Sequence, residues 1–89
     1  MPHSKSAIKR HEQSERRRLR NRSVRSTTRT ALNRAHAAIE RSTPERDDLV
    51  RAAQSTLDVS VRKGVIHPNN AARRKSRLMK RLNAAQSAG

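Results

Sequence analysis

The densest concentration of chemistry in this chain is Arg16-Arg17-Arg18-Leu19-Arg20-Asn21-Arg22, continued by Arg25 and Arg29 and preceded by Lys5, Lys9 and Arg10. Guanidinium groups are planar five-fold donors that match phosphate oxygens in pairs. A face that merely keeps a helix solvated mixes charge signs, yet no acid occurs between Glu15 and Glu40. Such a cluster points to phosphate binding. Glu12 and Glu15, within reach of nearby bases on one helix, act as intrahelical partners of modest effect.

A second cluster is His67-Pro68-Asn69-Asn70-Ala71-Ala72-Arg73-Arg74-Lys75-Ser76-Arg77, followed by Lys80 and Arg81. Here a helix start precedes a run of cations. Free N–H groups at such a start receive phosphate, and Asn69 or Asn70 is placed either to bond a ribose 2′-hydroxyl or to cap the helix. The candidate nucleic-acid contacts are therefore Lys5, Lys9, Arg10, Arg16, Arg17, Arg18, Arg20, Asn21, Arg22, Arg25 and Arg29 in the first cluster. In the second they are His67, Asn69, Arg73, Arg74, Lys75, Ser76, Arg77, Lys80 and Arg81.

Other chemistries find no residues. Without cysteine there is no disulfide framework, thiolate zinc site or sulfur nucleophile. The histidines at 3, 11, 36 and 67 are scattered; His11 and Glu15 have the i, i+4 spacing of a helical metal pair but lack a third ligand. No Ser/His/Asp set, Gly-rich phosphate loop or paired carboxylates can be assembled, so no enzyme, cofactor or metal is expected. The absence of Phe, Tyr and Trp removes the stacking platforms with which single-strand binders hold bases. Readout is thereby confined to phosphate and shape.

The elements that carry these clusters are marked by two breaks, Arg41-Ser42-Thr43-Pro44 and Lys63-Gly64-Val65-Ile66-His67-Pro68. They divide the chain into helices of about 6–41, 44–63 and 68–86, the first roughly 50 Å long. Thr43 is the expected N-cap of the second helix, with Pro44 at its first position and Glu45, Asp47 and Asp48 near the positive end of its dipole. At its other end a left-handed Gly64 would bring Val65 back toward Val59. Helical spacing relates Val24, Thr28, Leu32, Ala35 and Ile39; Val50, Ala53, Leu57 and Val61; and Ala71, Leu78, Leu82 and Ala85. No stretch alternates with period two. The expected fold is all-α, a single domain built as an antiparallel three-helix bundle with an elongated basic first helix.

Charge sorts the helices. Residues 4–41 hold 12 bases and 3 acids, residues 44–63 hold 4 of each, and residues 65–89 hold 6 bases and no acid, giving the whole chain +15. The first and third helices should face a polyanion and the neutral second helix should face away. Only 14 of 89 residues are Leu, Ile, Val or Phe, below the roughly 20% at which a charged chain is expected to order unaided. Fold stability should then depend on the partner, above all at the front of the first helix, which has no core to join. No apolar run approaches membrane-spanning length, and Met1-Pro2-His3-Ser4-Lys5 leads into polar sequence, so an unexported cytoplasmic protein is expected. A leucine-zipper DNA protein is disfavoured because no sustained heptads follow Arg29, and a membrane-active helix because large apolar anchors are lacking.

Three motifs in order carry a specific resemblance: Lys5-Ser6-Ala7 with Lys9-Arg10; Arg17-Arg18 with Arg20-Asn21-Arg22-Ser23; and Gly64-Val65-Ile66-His67 running through Asn69 to Ala71-Ala72-Arg73 and Lys75-Ser76-Arg77-Leu78. Over essentially its full length the chain resembles the bacterial small-subunit ribosomal protein twenty family. The resemblance implies a three-helix bundle bound early in assembly to the five-prime domain of 16S ribosomal RNA, low in the body of the subunit. It also implies approach to the long decoding stem near the three-prime end and few protein contacts. Pro68 departs from the basic residue more usual there, and Arg74 occupies a variable position; Pro68 removes one phosphate contact and suits a first helical turn.

Overall fold

The computed structural model describes residues 5–88, so Met1 to Ser4, including His3, lie outside the described residues. Three helices follow one another: α1 (Lys5–Arg41), α2 (Arg46–Arg62) and α3 (Pro68–Ala88), with no strand among the described residues. The fold is the all-α bundle with a long first helix that periodicity and breaks indicate. α2 returns antiparallel to α1, and α3 runs parallel to α1 on the other side of the second break.

Each helix contributes one apolar stripe. Leu32, Ala35, Ala38 and Ile39 of α1 meet Val50, Ala53 and Leu57 of α2 and Ala71, Leu78 and Leu82 of α3 in the buried core. Val61 and Ala85 are half-buried against it, together with Ala31, Leu49, Ile66 and Met79. Small side chains at Ala35, Ala38, Ala53 and Ala71 let three backbones approach closely around only a few large residues. The core begins at Thr28, and α1 from residue 5 to 20 buries nothing. Ile8 and Leu19 there are 47% and 58% exposed, so this part of α1 leaves the bundle as a bare rod of about 24 Å at 1.5 Å per residue. The radius of gyration, 17.9 Å, exceeds the roughly 12 Å of a compact chain of this length. The longest extent is 67 Å.

A pair of hydroxyls marks where the rod departs. Thr28 Oγ1 on α1 lies 2.7 Å from Ser60 Oγ on α2, both fully buried. Each is also within 2.9 Å of a carbonyl one turn back in its own helix, that of Val24 and that of Thr56 respectively. Two hydroxyl hydrogens serve three contacts, so one hydroxyl donates across the helices while the other donates to its own backbone.

Both helix ends that precede the turns close in the same way. At the end of α2, Gly64 has φ +73° and its N–H donates to the Val61 carbonyl while Val65 N–H donates to that of Ser60, the paired 5→2 and 6→1 bonds of a Schellman cap. Val65 and Val59 are each half-buried. At the end of α1 the same pair joins Ser42 N–H to Ile39 and Thr43 N–H to Ala38, and the left-handed residue is Ser42, φ 52°. Here the expected N-cap at Thr43 is corrected. α2 begins at Arg46, preceded by a turn in which Arg46 N–H donates to the Thr43 carbonyl, and Thr43 Oγ1 is buried with no hydrogen-bond partner. Thr43 is drawn into the Schellman closure of α1, which leaves its hydroxyl no helical N–H to accept. Asp47 and Asp48 do occupy the first turn of α2.

Candidate nucleic-acid interface

Helical geometry sorts the cations of α1 into stripes. At about 100° per residue, Lys5, Lys9, Arg16 and Arg20 fall within an arc of about 60°, and Arg18, Arg22, Arg25 and Arg29 within another about 160° away. All eight are exposed. Arg10 and Arg17 lie between the stripes, on the side that becomes the apolar face further along. The rod thus offers cations on two nearly opposite faces, one of which continues into the bundle. Within it Glu15 pairs with Arg18 at 3.0 Å, and just beyond it the side-chain amide oxygen Oδ1 of Asn21 is buried without a hydrogen-bond partner.

The continuing stripe runs into an open trough between the parallel helices α1 and α3. Arg25, Thr28 and Arg29 face Val65, Ile66, His67, Asn70 and Arg74 at one end. Beyond them Arg29, Leu32, Asn33 and His36 face Asn70, Arg73, Arg74, Arg77, Lys80 and Arg81. From Arg25 to His36 the trough follows α1 for about 17 Å. No Asp or Glu lines it, and among the described residues α2 contributes nothing to its walls. Cations packed along a shared concave surface repel one another and gain most from a bound polyanion.

Several side chains are oriented before any ligand arrives. Asn70 Oδ1 accepts a 2.6 Å hydrogen bond from Arg74 Nε, fixing that guanidinium across one turn of α3. His67 Nδ1 accepts from Asn69 N–H at 3.1 Å, so His67, not Asn69 or Asn70, caps the start of α3, and its Nε2–H remains as an outward donor when the ring is neutral. Arg81 Nη1 lies 2.9 Å from His36 Nδ1. Burial, and then the Arg81 charge, hold the His36 pKa below its ordinary value.

The sequence-derived contacts are placed unevenly. Arg73, Arg74, Arg77, Lys80 and Arg81 line the trough with Arg25 and Arg29, and His67 stands at its mouth. Asn69 and Ser76 are exposed on α3 but line neither end. Lys75 is set apart from the other α3 cations: it is half-buried in the opposite groove, between α3 and α2, and its ammonium bonds Asp58. Asn33, His36 and Asn70 belong to the trough although charge counting did not select Asn33 or His36. Their signal is spacing, since Asn33 and His36 stand four and seven residues after Arg29.

α2 is neutral in place as well as in count. Arg51 lies 3.8 Å from Asp48 and Arg46 lies 4.0 Å from Asp47, while Asp58 takes Lys75. Among the described residues no three His, Asp or Glu side chains gather as a metal site requires, and no helix is long and apolar enough to cross a membrane.

Comparison with known proteins adds sequence kinship to this geometry. Residues 2–83 match the family described as Ribosomal protein S20. The chain is 52% identical over 90 residues to the small ribosomal subunit protein bS20 of Thermomicrobium roseum, covering 94% of this chain and 86% of the relative. It is 50% identical to the protein of that name from Roseiflexus sp. strain RS-1, with 99% and 97% of the two chains covered. Against that of Desulforapulum autotrophicum the identity is 49%, over 92% and 99% of the chains.

Proposed function

Because the chain belongs to the ribosomal protein S20 family, we propose that it binds 16S ribosomal RNA directly through the phosphate backbone and stabilises the folding of that RNA during subunit assembly. It is a constituent of the small ribosomal subunit in the bacterial cytoplasm, and it is not an enzyme. The observation that carries the proposal is the rod. Sixteen consecutive helical residues, 5 to 20, bury nothing and carry cations on two opposed faces.

A helix of that kind is costly to hold alone, because its charges repel and no apolar stripe repays its ordering. Between two RNA segments the same features become favourable. One stripe neutralises one phosphate backbone, the opposite stripe neutralises another, and RNA strands that would repel are held at the width of one helix. The stripe that runs into the trough extends one of these contacts onto α3, whereas the stripe of Lys5, Lys9, Arg16 and Arg20 serves the other. The five-prime domain of 16S RNA is the primary partner in this reading, with the long decoding stem as the second segment and few protein neighbours. The absence of aromatic side chains means that shape and phosphate spacing select the site, with no stacked base.

Filter binding of the protein to a transcript of the 16S five-prime domain, with excess duplex DNA as competitor, tests this function. Retention of the transcript in the presence of the DNA is expected. Equal displacement by DNA would remove the claim of RNA recognition.

A further inference from the structure

We propose that His36 and Arg81 form a proton-linked phosphate site in the α1–α3 trough, where seating a backbone phosphate draws one proton from solvent onto His36. The proposal rests on the RNA-binding reading and specifies what happens at one point of the interface.

The geometry defines the protonation state of the empty site. Arg81 Nη1 stands 2.9 Å from His36 Nδ1, and a guanidinium has hydrogens to give and no lone pair to accept. Nδ1 is therefore the acceptor, the ring is neutral, and its single proton sits on Nε2. The surroundings reinforce this. The groups lining the trough beside His36 are Arg29 from its own helix and Arg73, Arg74, Arg77, Lys80 and Arg81 from α3, with no α2 side chain; the one acid within a turn of His36 on α1, Glu40, is exposed and does not line the trough. A proton on Nδ1 would break the bond to Arg81 and set two cations side by side. The depressed pKa of His36, caused first by burial and then by Arg81, agrees with that arrangement.

A phosphate reverses the balance. Its charge offsets the cations around the ring, so the penalty for a further positive charge falls or changes sign. Protonation at Nδ1 then releases Arg81 from His36, and both side chains donate to phosphate oxygens as charge-assisted partners. The proton comes from the buffer, no bond other than N–H forms, and the net result is one extra positive charge in the occupied trough. By linkage, whatever binding does to the His36 proton, the proton does to binding. Affinity for RNA should therefore rise as pH falls through the range between the His36 pKa in the complex and that in the free protein, by up to about tenfold per pH unit for one linked proton.

Titration calorimetry of the full chain with a 16S five-prime-domain transcript, near pH 6.5, in Pipes and in Bis-Tris tests this, because these buffers both titrate in that range and differ in ionisation enthalpy. Wild type should take up a fraction of a proton per complex, and His36→Asn, which keeps an acceptor for Arg81, should lose that uptake while still binding. Circular dichroism checks that the variant remains helical. If it does not, NMR titration of the His36 ring in free and RNA-bound wild type reads the same quantity, with a higher pKa expected in the complex. Binding without uptake, equal uptake by the variant, or an unchanged His36 titration would overturn the proposal. No binding by wild type would instead remove the RNA reading beneath it.

Discussion

Thr28 Oγ1 and Ser60 Oγ meet at 2.7 Å in the last fully buried contact between α1 and α2 before the rod leaves the bundle. The contact gives α1 a fixed exit, with Arg25 and Arg29 directed along the trough and the residues before Asn21 left bare. Thr28→Val keeps the shape and removes the interhelical hydrogen bond. Because Ser60 Oγ still donates to the Thr56 carbonyl, the loss should be about 1 kcal/mol, that of one net hydrogen bond, and Thr28→Val with Ser60→Ala should cost less than the sum of the two single changes. Urea unfolding of the two single variants and the double variant measures the coupling.

The two Schellman caps offer a pair of substitutions with opposite sign. Ser42 pays for a left-handed φ of 52° that glycine adopts freely, so Ser42→Gly should stabilise by about 1 kcal/mol. Gly64 has φ +73° and nothing within 4 Å of where a Cβ would lie, so Gly64→Ala should cost about 1 to 2 kcal/mol from backbone strain alone. Thermal unfolding of both variants checks the signs.

What could be read in the sequence follows from periodicity. Val50, Ala53, Leu57 and Val61 share a face whatever they pack against, and the same holds for Leu32, Ala35 and Ile39, so helices and core faces were legible. Ser42 was not, because a left-handed cap announced by glycine at 64 is silent when serine takes it. Thr43 misled for a related reason: its type suits a cap, but the cap of the preceding helix takes its backbone. At the interface, counting charges found the cations around the front of α1 and missed that Lys75 turns away from the other cations of α3. Lys75 stands four residues after Ala71 and three before Leu78, both buried, so its turn toward Asp58 was readable from spacing. Asn33 and His36 needed the opposite insight, that uncharged residues in register with Arg29 belong to a charged surface.

Among the described residues Leu57 is fully buried with nine other buried hydrophobic residues, four of them alanine. With so small a core, Leu57→Ala should cost about 2 to 5 kcal/mol, much of the stability of a domain of this size. The free variant should lose its cooperative thermal transition. Circular dichroism melts with and without the 16S transcript should show binding restoring helix.

His36 predicts the behaviour of the free protein in acid. Its pKa is lowered by folding, so below the ordinary value of 6.5 the unfolded chain binds the proton more readily than the folded one. The contribution is full above 6.5 and is lost as pH falls from there toward the depressed folded value. Urea midpoints should decline between about pH 7.5 and 5.5 in wild type, and by less in His36→Asn. An equal decline in both would assign the effect elsewhere.

The rod itself should be ordered by its partner. Its amides have no tertiary cover from residue 5 to 20, so hydrogen exchange there should be fast in the free protein and slow in the complex, while amides near Leu32 and Leu57 are protected in both.

Phosphate neutralisation by the two stripes and the trough is tested most directly by the salt dependence of binding to the 16S five-prime-domain transcript. If roughly 6 to 10 phosphates are contacted, affinity should fall by about 10³ to 10⁵ between 50 and 200 mM monovalent salt, with the duplex DNA relation as guide. Replacing Arg16 and Arg20 by Gln should make that slope shallower. Affinity that stays flat across this range would contradict the account.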